Sequence, residues 1–163
     1  MHKNKVQYTS HSALIAALYV ALTYVSAASG LSGGAIQLRI SEALTVLPLF
    51  TPAAVPGLTV GCFLANLTTG CSPWDIFGGT LATFIGAVGT YKLKNFPYAA
   101  VIPPITANTV IIPLLLRFAY RLDGTLPYFM LTVGIGELIS CGVLGTMLTA
   151  VLRKNSKRLN FNK

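Results

Sequence analysis

Four stretches of this chain, residues 12–29, 76–91, 98–116 and 128–152, are apolar almost throughout and carry a single charge among them, Glu137. Most lie near the roughly 20 residues a helix needs to cross a bilayer. In lipid, a helix pairs every backbone N–H and C=O within its own segment, so such stretches have little choice of form. Only 10% of the residues are charged and 53% are hydrophobic, against about 25% charged in an ordinary soluble domain. A water-soluble fold is excluded, and residues 1–163 read as a single integral membrane domain.

Residues 42–70 are too many for one relaxed span, and Pro48, Pro52 and Pro56 each remove a backbone donor there. The segment reads as two short helices turning near residues 52–56, which makes an all-α protein of six transmembrane helices with a short second and third. Basic residues test this count. With both termini inside, nine of them (Lys3, Lys5, Lys92, Lys94, Arg153, Lys154, Lys157, Arg158 and Lys163) fall inside and three (Arg39, Arg117 and Arg121) outside. Five spans starting inside would reverse that bias. Five starting outside would give eight against four, so the prolines and the excess length decide for six. The net charge of +8 is thus assigned to topology and lipid phosphates rather than to nucleic acid. The basic N-terminus runs into a helix read as retained rather than cleaved.

In this arrangement residues 30–40, 70–74 and 121–127 face outward. The first of these loops begins with a flexible Gly-Leu-Ser-Gly-Gly run and continues as Ala-Ile-Gln-Leu-Arg-Ile, whose alternation suggests a short extended strand. It reads as an outer gating loop after helix 1.

The chain has only four acidic residues. Glu42 opens the second helix, Asp75 opens the fourth, and Glu137 lies about 13 Å down the last span at 1.5 Å per residue. A carboxylate at mid-membrane costs about 2.5–3.5 kcal/mol on insertion scales, which marks Glu137 as a candidate. Asp75 follows Pro73 and Trp74, where a helix cap and an interfacial aromatic are the bland alternatives to ligand contact. Asn66 and Asn108 fall inside the third and fifth spans, where an unsatisfied amide would be costly. With Thr106 and Glu137 they form one candidate polar cluster, though helix-to-helix hydrogen bonding alone would also account for them. The spans hold no Lys or Arg of their own, so the acids have few counter-charges. A small, nitrogen-rich, possibly cationic solute suits such a site better than an anion. Arg39 is expected either to pair with Glu42 or Glu137 or to close over the solute.

Catalytic motifs are missing: there is no GxxxxGK[ST] phosphate loop, HExxH or GxSxG, and no Ser/His/Asp set. Cys62, Cys71 and Cys141 are isolated and indicate neither disulfides nor a zinc site. No enzyme activity, cofactor or metal is expected. The competing class is a membrane-embedded enzyme using Glu137 and Asp75 as acid and base, which requires both within reach of one reacting atom.

Small residues recur every fourth position at Ala13, Ala17 and Ala21 in the first helix, and at Gly78, Ala82 and Gly86 in the fourth. Such rows allow close approach of another helix, inside the fold or from a partner. The alanine row, the six short spans and the segment IQLRISEALTVLP from Ile36 to Pro48 resemble the QueT family, the queuosine-precursor-specific S-components of energy-coupling factor (ECF) transporters. The resemblance covers nearly the whole chain. It implies a subunit that captures its substrate from outside and relies on a transmembrane coupling subunit and two ATPase subunits for energy. It also implies docking to the coupling subunit through Ala13, Ala17 and Ala21, gating by residues 30–40, and a ligand that is a 7-deazaguanine such as 7-aminomethyl-7-deazaguanine or queuine. Within such a site Glu137 is expected at the ring and Glu42 or Asp75 at the amine, with Arg39, Asn66, Trp74, Thr106 and Asn108 completing it.

Overall fold

The structure, a computed structural model, describes residues 2–31, 38–121 and 123–155. These residues are helical throughout their regular segments, with no β-strand among them. Helix α1 (His2–Ala28) is followed by a 3-10 helix (Ile40–Leu49), then α2 (Ala54–Thr68) and α3 (Pro73–Lys92). Next come α4 (Ile102–Leu114), α5 (Leu126–Glu137) and α6 (Gly145–Lys154). A π-helical segment, Leu138–Leu144, joins α5 and α6, and another, Leu115–Ala119, prolongs α4. Six helical rods result. Three of them, Lys5–Ala28, Ala99–Ala119 and Leu126–Lys154, are long and apolar enough to cross a membrane.

The two short helices expected between residues 42 and 70 are present, but the break lies at residues 50–53, slightly earlier than predicted. Pro56 sits within the first turn of α2, where a missing N–H costs nothing because that donor has no intrahelical partner anyway. Pro48 lies inside the 3-10 helix. Alpha-helix α2 has 15 residues, about 22 Å at 1.5 Å per residue, against a hydrocarbon core of about 30 Å.

Consecutive α-helices from α1 to α5 pack as neighbours, while the 3-10 helix touches α1, α2, α3 and α6. Its residues Ser41 to Val46 are all buried. It runs antiparallel to α1 and is pinned there by three side chains that share one face of α1 at helical spacing. Tyr19 donates to a Glu42 carboxylate oxygen, Thr23 donates to Ser41 Oγ (2.9 Å), and Ser26 Oγ accepts from the Ile40 N–H (2.9 Å). At the beginning of this segment Arg39 has extended backbone (φ −113°, ψ 104°). Residues 35–37 of the expected strand, like 32–37 of the gating loop, lie outside the described residues; the described residues on either side are tied by the Leu38 N–H to the Leu31 carbonyl (2.9 Å).

Close packing of α1 on α2 depends on a Gly-x-x-x-Gly pair that the sequence reading passed over. A Cβ on Gly57 would lie 2.8 Å from the Ser12 carbonyl oxygen, and one on Gly61 would lie 2.8 Å from Tyr19 Cβ and 3.0 Å from the Ala16 backbone. In α3 the row of Gly78, Ala82 and Gly86 faces inward, where Gly78 meets Leu115 and Gly86 meets Pro104. Ala13, Ala17 and Ala21, in contrast, are exposed on the face of α1 turned away from α2.

Gly61→Val should therefore force α1 off α2 and destabilise the fold by about 1–3 kcal/mol, the usual cost of overpacking, read as a lower thermal midpoint in detergent. Ala21→Val, at an exposed position, should leave that midpoint unchanged; equal losses would mean that the glycine seam is not what sets the α1 to α2 distance.

Candidate functional site

Four elements converge on a pair of carboxyl groups. Glu42 arrives on the 3-10 helix, Glu137 at the last position of α5, Asn108 from α4 and Tyr19 from α1. All are buried: Tyr19 retains 1% exposure, Glu42 2%, Asn108 4% and Glu137 9%. The Asn108 amide nitrogen bridges the two acids, donating to Glu137 Oε1 (3.0 Å) and, more weakly, to Glu42 Oε2 (3.5 Å). Tyr19 covers the other Glu42 oxygen. Glu137 Oε2 is buried without a hydrogen-bond partner, and an orphaned buried acceptor is costly enough to call for a function.

A small pocket of about 20 Å³ opens onto this group, lined by Arg39, Glu42, Cys62, Thr83, Asn108 and Glu137 among others. Beside it lies a larger chamber of about 340 Å³, bordered by Thr23, Asn66, Thr69, Asp75 and Tyr120. Arg39 and Ile112 belong to both walls. The larger chamber sits at the end of the bundle where α2 ends and α3 begins; Lys92, Arg153 and Lys154 end α3 and α6 at the opposite end. Arg39 lies within electrostatic reach of both Glu42 and Glu137 and stands at the junction of the chambers.

Six of the eight sequence-predicted residues are thus brought together: Arg39, Glu42, Asn108 and Glu137 around the small pocket, and Asn66 and Asp75 on the large one. Asn66 also realises the bland expectation, since its amide donates to the Asp75 backbone carbonyl (3.1 Å). Asp75 does not cap α3; its carboxylate accepts from the Tyr120 hydroxyl. Two residues are set apart. Thr106 is exposed and donates to the carbonyls of Ile102 and Pro103 (both 3.0 Å), because two helical steps from Asn108 turn it to the other side of α4. Trp74 is 64% exposed, with its ring outside both chambers, the placing of an interfacial aromatic. Asp75 and Glu137 border different chambers, which leaves an acid–base pairing without a shared space.

Tyr19, Tyr120, Thr23 and Thr69 were missed. Hydroxyls and aromatics are common in membrane helices, so nothing in their type or spacing separates them from packing residues. Cys62 and Cys71, read as packing residues, line the small and large chambers respectively.

Residues 9–154 match the sequence profile of the QueT transporter family. A curated relative from Lactococcus lactis subsp. cremoris (strain MG1363), the queuosine precursor transporter QueT, is 35% identical over 86 residues, covering 52% of this chain and 50% of the relative. The aligned stretch therefore spans about half the length of the curated relative it matches. No solved structure matches the chain significantly. The chain belongs to the QueT transporter family, which makes it a membrane protein of a transport family and not an enzyme.

Removing the Tyr19 hydroxyl leaves a buried Glu42 oxygen without its donor, so Tyr19→Phe should cost about 1–3 kcal/mol. Asp75→Asn, at a partly exposed contact, should cost much less. Thermal unfolding of the two variants in one detergent checks the ranking, and a larger loss for Asp75→Asn would contradict it.

Proposed function

We propose that this protein is the substrate-binding S-component of an ECF-type importer, capturing a queuosine precursor, a 7-deazaguanine such as 7-aminomethyl-7-deazaguanine or queuine, from outside the cell. One observation carries this reading: two adjoining chambers lined by Arg39, Glu42, Asn66, Asp75, Asn108 and Glu137, in which the buried Glu137 Oε2 lacks a donor. A deazaguanine brings what these acceptors lack, adjacent N–H donors on its ring and an amine on its side chain. The name of the Lactococcus lactis relative, a queuosine precursor transporter, supports the same ligand class.

In this reading the chain forms one membrane domain crossing six times, both termini cytoplasmic. The 3-10 helix, enclosed by its neighbours, and α2, which keeps Val60, Leu64 and Leu67 on an exposed face, make incomplete crossings, and the larger chamber faces outward. Residues 30–40 gate that chamber, with Arg39 at the inner end of the gate. Energy comes from a transmembrane coupling subunit and two ATPase subunits. The exposed alanine row of α1 provides the docking face, because its small side chains let a partner helix approach closely.

Purified protein should bind 7-deazaguanines saturably without ATP, measured by calorimetric titration; a monodisperse, folded sample that binds none of them sinks the ligand assignment. Ala17→Trp should abolish co-purification with the coupling subunit while leaving solitary binding within about twofold, since Ala17 lies away from both chambers. Intact assembly would return the alanine row to a passive lipid-facing role.

A further inference from the structure

The two chambers differ in size and charge in a way that divides a ligand between them. Resting on the transport reading above, we infer that the small pocket between Glu42 and Glu137 takes the terminal ammonium of a two-part solute, while its planar heterocycle stays in the larger chamber. This reverses the sequence expectation that placed Glu137 at the ring.

Size is the first ground. About 20 Å³ is space for one water-sized group, and an –NH3+ group is of that size. A bicyclic ring needs the 340 Å³ chamber, which falls in the range of small-molecule pockets, about 300–1,000 Å³.

Charge is the second. Two carboxyl groups and one guanidinium line the small pocket, so a single monovalent cation balances them, and an uncompensated buried charge is costly. Hydrogen bonding is the third ground. Asn108 spends its amide nitrogen on both acids, yet Glu137 Oε2 still has no donor. An ammonium brings three donors and no acceptor, the complement of a carboxylate pair.

The larger chamber suits the ring. Thr23, Asn66, Thr69 and Asp75 provide polar groups of both kinds around the apolar Ala27, Ile112 and Leu116. Arg39, on the shared wall, can lie flat against a planar ring or donate to its carbonyl edge.

The test compares ligands with one ring and different substituents: 7-aminomethyl-7-deazaguanine, 7-cyano-7-deazaguanine, whose nitrile is neutral, and queuine, whose nitrogen carries a further carbocycle. The aminomethyl base should bind at least about tenfold more tightly than the nitrile, because a site built for a donor discriminates against an analogue lacking it. Queuine should bind more weakly than the aminomethyl base. Glu137→Gln and Glu42→Gln should each lower affinity for the amine by a larger factor than affinity for the nitrile, eroding the preference between them. Equal binding of amine and nitrile by the unmodified protein, or an equal loss for both ligands in the Gln variants, would place the ring at the acids and overturn the inference with the transport reading intact. Queuine binding as tightly as the aminomethyl base would overturn the size argument and the inference with it. Failure of all three bases to bind folded protein would instead remove the reading on which the inference rests.

Discussion

Two carboxyl groups, those of Glu42 and Glu137, share one amide in the interior of a bundle whose surroundings offer no water. Hydrocarbon cannot solvate a polar group, and the architecture brings protein donors to three of the four carboxyl oxygens, leaving Glu137 Oε2 open. Glu42 is carried on a ten-residue 3-10 helix too short to span a bilayer. That length is no defect here. The segment has α1, α2, α3 and α6 around it, needs no lipid-facing side, and can commit Ser41 through Val46 to the interior.

The glycine seam explains how α1 reaches the site. Gly57 and Gly61 bring α2 within backbone contact of Ser12, Ile15 and Ala16, which fixes the rotation of α1. Once fixed, that rotation turns Tyr19, Thr23 and Ser26 toward the 3-10 helix and leaves Ala13, Ala17 and Ala21 exposed. One helix therefore serves two surfaces: an inner face of hydroxyls that supports Glu42 and an outer face of methyl groups. Gly145 does for α6 what the seam does for α1, since a Cβ there would lie 2.9 Å from Val46 of the 3-10 helix.

The residues legible in the sequence are those whose burial is expensive. Glu42, Asn108 and Glu137 stood out because a carboxylate or amide in an apolar span demands a partner, and they meet as a cluster. The break before α2 was legible from Pro52, whereas Pro56 misled by a few residues because proline is welcome in a first helical turn. Thr106 was drawn into the cluster by proximity in sequence, which helical periodicity overrules. Tyr19 and Tyr120 stayed invisible, since a tyrosine in or beside a membrane helix has many ordinary uses. That α5 and α6 form one rod was legible in the unbroken apolar run 128–152, but its π-helical stretch Leu138–Leu144 was not: such a stretch is a response to packing and has no strong residue signature.

Arg39 connects these threads. It begins the segment that carries Glu42 and belongs to the walls of both chambers. Only Ile40 and Ser41 lie between the two in sequence, so both side chains belong to one turn at the start of the 3-10 helix. On the proposed reading, a solute entering from the α3 end meets the wide chamber first and the carboxyl pair last, passing Arg39 between them. A ring held in the wide chamber against Arg39 and an amine seated between Glu42 and Glu137 would draw on both ends of that helix turn at once, so each half of the ligand would steady the wall that binds the other.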